Sequence, residues 1–81
     1  MRNEILSSAV VLDPPRCGAK QVVKAIKPGS VKQVIYVSCN LPTLARDLKT
    51  LVGNGYKLIR TDLVDMFAHT HHVETVNVLE A

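Results

Sequence analysis

Two short apolar runs constrain what this chain can fold into. Ala9-Val10-Val11-Leu12 is cut off by Asp13-Pro14-Pro15-Arg16-Cys17-Gly18, and Val34-Ile35-Tyr36-Val37 by Ser38-Cys39-Asn40. Apolar runs of this length, ended by turn-forming residues, are the pattern of buried strands. Each is followed by apolar residues at helical spacing: Ala19, Val22, Val23 and Ile26 up to Pro28-Gly29, then Leu44, Ala45, Leu48, Leu51 and Val52. Asn40 suits the N-cap of the second helix, Pro42 its first turn, and Gly53-Asn54-Gly55 its end. Tyr56 to Leu63 is a third strand. Asp65 to Glu74 is a loop rich in His and Thr. Val73 to Leu79 is the last strand, with Val76 and Val78 on one side and Thr75, Asn77 and Leu79 on the other. The order β-α-β-α-β-loop-β predicts an α/β fold. Three parallel strands are joined by right-handed crossovers through flanking helices, and the last strand, reached without a helix, is antiparallel.

Residues 1–8 are polar to mixed and read as a boundary or linker, leaving 9–81 as the structured unit. With 47% hydrophobic and 21% charged residues the chain is globular, but 81 residues make a core that is marginal without a partner. With no Trp and one Phe, that core is built mainly from Val, Leu, Ile and Ala. The apolar runs fall far short of the roughly 20 residues of a membrane span. Two cysteines and no leader-like segment point to a reduced, cytoplasmic protein. The net charge of +3 is compatible with a polyanionic partner without demanding one, and the lysines lie where solvated lysine is the default.

In an open α/β sheet, ligands bind beyond the carboxyl ends of the strands. Three polar clusters fall there: Asp13 to Arg16, Ser38-Cys39-Asn40, and Asp65 to Glu74. Cys39, between a strand end and a helix start, has either the setting of an activated thiolate or that of a structural cysteine. Glu74 is a general base if substrate is near, and otherwise an exposed residue at a strand start. Asp13 is a ligand carboxylate or a turn-forming Asp before proline. Cys17, in a loop, is read as incidental. His69, His71 and His72 do not have zinc-site spacing with the cysteines, so no metal site is expected.

Three ordered motifs carry a resemblance: Asp13-Pro14-Pro15-Arg16-x-Gly18, then Tyr36-Val37-Ser38-Cys39-Asn40-x-x-Thr43-Leu44-Ala45-Arg46-Asp47-Leu48, then Asp65-Met66-Phe67-x-His69-Thr70-x-His72-Val73-Glu74. Together they resemble the RNA uracil-C5 methyltransferases, enzymes that modify ribosomal or transfer RNA, and the likeness covers residues 9 to 81. Two departures affect loop stiffness. Leu41 stands between Ser-Cys-Asn and the proline at 42, and Ala68 stands where the family usually has proline.

The resemblance implies the C-terminal half of a Rossmann-like, S-adenosylmethionine-dependent methyltransferase sheet. It implies Cys39 as the nucleophile at uracil C6, Glu74 as the base and Asp13 at the cofactor. Arg16, Asn40, Thr43 and His72 are implied more weakly as substrate-binding or loop-orienting groups. The cofactor's glycine-rich loop and, in some members, an iron–sulfur cluster belong upstream of these motifs. RNA is the implied partner, ribosomal before transfer. Without the other half, the first strand is expected to present an apolar edge open to self-association, and these residues alone are expected to be inactive. The contrasting reading is a non-catalytic binding or assembly module. A cytosine-C5 enzyme would share the thiolate logic, but its usual Pro-Cys pair is absent.

Overall fold

The computed structural model describes residues 2–6, 9–15, 17–65 and 73–81. Its elements are β1 (Arg2–Leu6), β2 (Ala9–Asp13), α1 (Lys20–Ala25), β3 (Gln33–Ser38), α2 (Leu41–Gly53), β4 (Lys57–Asp65) and β5 (Val73–Glu80). They form a five-stranded sheet in the order β1-β2-β3-β5-β4.

The α/β alternation is as the sequence dictates, but the pairing is more mixed. β2 and β3 are parallel neighbours. β5 then inserts antiparallel to both β3 and β4. β4 therefore runs in the same sense as β3 without bonding to it. β5 reaches that slot because it follows β4 without a crossover helix, and strands joined in that way pair antiparallel.

The segment read as a boundary contains β1, which pairs antiparallel with β2 from Arg2↔Asp13 to Leu6↔Ala9. Its mixed composition hides the strand, because what recruits it is the row of unpaired N–H and C=O groups on β2 rather than an apolar pattern of its own. The edge of β2 expected to be open is thus covered, and the sheet's outer strands are β1 and β4.

Burial alternates along β2 and β3, and both helices lie on one face of the sheet. The core there joins Val10, Leu12, Val34, Tyr36 and Leu79 from the strands to Ala19, Val23, Ile26, Leu44 and Leu51 from the first loop and the helices. On the opposite face Val11, Ile35, Val37, Val76 and Val78 are only half-buried.

α1 is shorter than its apolar spacing suggests. The Asn54 side-chain amide closes its end, donating to the carbonyls of Val23 (3.0 Å) and Ile26 (3.1 Å). In α2 the buried stripe is Leu44, Asp47 and Leu51, with Leu48 half-buried; Ala45 and Val52, expected on the apolar face, are exposed. A carboxylate has displaced an aliphatic residue from the stripe because it finds hydrogen-bond donors there, as described below.

Leu51 is fully buried and Leu63 is 75% exposed. Leu51→Ala should lower unfolding free energy by about 2–5 kcal/mol, and Leu63→Ala by less than about 0.5 kcal/mol. Urea denaturation followed by circular dichroism measures both.

Candidate active site at the carboxyl end of the sheet

β3 ends at Ser38, and the backbone passes through Cys39 to α2. The turn is held by a short set of hydrogen bonds. The Asn40 amide donates to Ser38 Oγ (3.1 Å) and the Ser38 hydroxyl to the Asn40 carbonyl (3.2 Å). Asn40 caps α2: its Oδ1 accepts from the Thr43 amide (3.1 Å), while the Thr43 hydroxyl donates to the Asn40 carbonyl (3.1 Å). The first four amides of a helix have no partner within it, and an Asn cap satisfies one. Asn40 and Thr43 thus shape the turn that presents Cys39, whose thiol is free and exposed.

β5 brings Glu74 to the same end. The last pair of the ladder is Ser38↔Thr75, so Cys39 and Glu74 are the residues that flank it, one leaving β3 and the other preceding Thr75 on β5. The Thr75 hydroxyl reinforces the pairing by donating to the Ser38 carbonyl (2.9 Å). Deeper in, Asn77 Nδ2 donates to the Tyr36 carbonyl (3.0 Å), and its Oδ1 accepts from the Thr61 hydroxyl (2.9 Å). Thr75 and Asn77 are buried under the helices, so alternation puts half-buried Glu74 on the opposite face with Val76 and Val78.

Asp13 ends β2, one strand from Cys39, and its side chain is exposed. The structure therefore brings Asp13, Cys39 and Glu74 to one end of the sheet, at the ends of three different strands. Arg16 and His72 lie outside the described residues. Cys17 is exposed and free, and with Lys20 and Arg46 it lines a cavity of about 360 Å³ beside α1 that includes none of Asp13, Cys39 and Glu74. Among the described residues no group of three His, Cys, Asp or Glu side chains could hold a metal ion.

Sequence reasoning missed the group that ties this end together. Asp47, fully buried, accepts from the Tyr36 hydroxyl and from the Ala19 amide (2.8 Å) through Oδ2, and from Arg46 Nε (3.1 Å) through Oδ1. The available signal was an acid at a core position of an amphipathic helix, close after a buried tyrosine. Burial, then the hydrogen bond to Asp47 and its charge, hold the Tyr36 phenol protonated well above its usual range. Burial also raises Tyr56.

A family model described as tRNA (uracil-5-)-methyltransferase matches residues 3–81. Similar proteins include one from Pseudomonas entomophila, 54% identical over 74 residues, which covers 91% of this chain and 16% of its own length. A second, from Hahella chejuensis, is 49% identical over 71 residues, covering 88% of this chain and 16% of the relative. A third, from Francisella tularensis subsp. novicida, is 48% identical over 79 residues, covering 96% and 18%. All three are named 23S rRNA (uracil(1939)-C(5))-methyltransferase RlmD. The chain thus spans about a sixth of the length of the curated relatives it matches.

The raised tyrosines carry a signed pH dependence. Their stabilising contribution is complete below the ordinary tyrosine value of about 10 and is lost as pH rises above it, because the unfolded phenols ionise first. The thermal midpoint should therefore fall between about pH 9 and about pH 11, and Tyr36→Phe should fall less steeply over that range. Thermal scans across alkaline pH check this.

Proposed function

We propose a function from one premise: this chain belongs to the tRNA (uracil-5-)-methyltransferase family. It supplies the nucleophile and the base for methylation of uridine C5 in RNA, within the second half of a Rossmann-like methyltransferase sheet. The observation that carries this reading is the β3–β5 register, whose last pair, Ser38↔Thr75, is flanked by Cys39 and Glu74 at the end of the sheet where Asp13 also lies.

Uracil C5 is a weak nucleophile. The Cys39 thiolate adds to C6, forming an S–C6 bond and moving the electron pair of the C5–C6 double bond into an enolate. S-adenosylmethionine, when bound, supplies the electrophilic methyl group that C5 takes up. C5 then bears both a methyl and a hydrogen. Glu74 removes that proton, the C5–C6 double bond re-forms, and the S–C6 bond breaks to return the thiolate. An exposed thiol at a capped helix start suits the first step, because it is open to an incoming base. A half-buried carboxylate at the same end of the sheet suits the second. Reaching Cys39 requires the target base to leave any stack.

Asp13 fits the methyl donor in one respect: an exposed carboxylate at the sheet end complements the positive charge of a sulfonium. It is the one group of this chain assigned to the donor, so these 81 residues alone should be inactive. Ribosomal RNA is the favoured substrate class, by the names of the similar proteins, and transfer RNA is the alternative that the family's name keeps in view. Such an enzyme would work in the cytoplasm.

Protein expressed from its full reading frame should trap RNA containing 5-fluorouridine as a covalent complex in the presence of S-adenosylmethionine, since fluorine at C5 cannot leave as a proton. Cys39→Ala should abolish both the complex and methyl transfer. Glu74→Gln should still form a methylated adduct with ordinary uridine RNA but release product at least about 100-fold more slowly. Retention of the adduct by Cys39→Ala on denaturing gels would rule out the assignment.

A further inference from the structure

We propose that Arg46 and Asp47 are positioning residues that clamp the β2–α1 loop onto α2 and so fix Asp13 relative to Cys39. The inference rests on the catalytic reading above for its effect on turnover, but the clamp itself is tested independently.

Among its described residues, the loop from Pro14 to Ala19 has one backbone hydrogen bond within it. Its turn is closed by the Gly18 amide donating to the Pro15 carbonyl (2.8 Å). Everything else described that ties it across the sheet end comes from two adjacent residues of α2. Arg46 Nη2 donates to the Cys17 carbonyl (2.8 Å), and Asp47 Oδ2 accepts from the Ala19 amide (2.8 Å). Arg46 Nε is bonded to Asp47 Oδ1 (3.1 Å), so the two act as one bracket. The bracket is anchored in β3 by the Tyr36 hydroxyl on Asp47. Tyr36 lies three residues before Cys39, and α2 begins two residues after it. The same carboxylate therefore holds both the segment that presents the thiol and the loop that follows Asp13.

A side chain at position 18 would push the bracket aside. Gly18 has φ +82°, and a methyl group on it would stand 2.5 Å from Arg46 Nη2 and 2.6 Å from Asp47 Oδ2. The loop backbone approaches α2 this closely because position 18 has no Cβ. A buried carboxylate is not needed for packing, since an apolar residue of similar volume commonly serves a core as well. What an apolar residue cannot do is hold a backbone amide and a guanidinium at fixed distances. Arg46, itself 42% exposed at the side chain, would otherwise be taken for a solvated cation or a phosphate contact.

The test uses protein expressed from its full reading frame. Arg46→Ala leaves the core intact and removes the link to Cys17. Amide hydrogen exchange at Gly18 and Ala19 should rise at least about tenfold, and by more than at core amides such as Val34, with the thermal midpoint lowered only by the loss of one partner from Asp47 Oδ1. The kcat for uridine methylation should fall about 10- to 100-fold with the RNA KM within about threefold, as expected when reacting groups are displaced rather than substrate binding lost. Alkylation of Cys39 by a small reagent should keep its rate, and Arg46→Lys should recover part of kcat. Asp47→Asn, which weakens the bracket from the buried side, should give the same pattern.

Unchanged exchange at Gly18 and Ala19 in Arg46→Ala overturns the clamp. Faster exchange with unchanged kcat overturns the positioning role, as does a rise in RNA KM with kcat preserved, which would make Arg46 an RNA contact. If the parent protein transfers no methyl group at all, the catalytic reading has failed, and the exchange result still decides the clamp.

Discussion

The antiparallel register of β5 on β3 is the constraint on which the rest depends. A strand returning without a crossover could lie on the outer edge of β4 or slip by one residue, and a one-residue slip turns every side chain to the other face. Here the register is fixed by polar pairs as much as by apolar ones. Thr75 bonds the Ser38 carbonyl, and Asn77 bonds the Tyr36 carbonyl while accepting from Thr61. A slip would leave these buried groups without partners, at a cost of about 1–3 kcal/mol each. The polar residues thus specify where the strand sits, and that placement brings Glu74 level with Cys39.

The carboxyl end of the sheet is correspondingly built from short-range polar bonds over an aliphatic base. Ser38, Asn40 and Thr43 turn the backbone from strand to helix, and Asp47 with Arg46 reaches back to the loop after β2. Apolar contacts between Leu12, Tyr36, Val23 and Leu51 hold the layers together, but they are non-directional. Reacting groups that must meet within fractions of an ångström need directional ties, and these cluster at the end where the proposed chemistry lies.

Much of this was legible in the residues. The runs at Ala9–Leu12 and Val34–Val37, the Asn40 cap, the Pro42 first turn and the polar residues Asp13 and Ser38 to Asn40 at two strand ends all point to their observed places, because each rests on local physics. Three features were not legible. β1 has no pattern of its own and exists by pairing with an exposed edge. The slot of β5 between β3 and β4 is a tertiary choice that alternation along one strand cannot reveal. Asp47 sits where the helical stripe calls for an aliphatic residue, and only the convergence of Tyr36, Ala19 and Arg46 makes a carboxylate stable there. The sequence motifs point to the family, while the geometry shows how the first two of them are joined.

The central claim is that the sulfur at position 39, rather than the one at position 17, which is also exposed, bonds to the pyrimidine. Mass spectrometry of the tryptic peptides from a trapped complex with 5-fluorouridine RNA decides between them. The account predicts the nucleotide's added mass, with one methyl group, on Cys39 within the peptide running from Gln33 to Arg46. Finding that mass on Cys17, or on neither cysteine of a confirmed covalent complex, would contradict it.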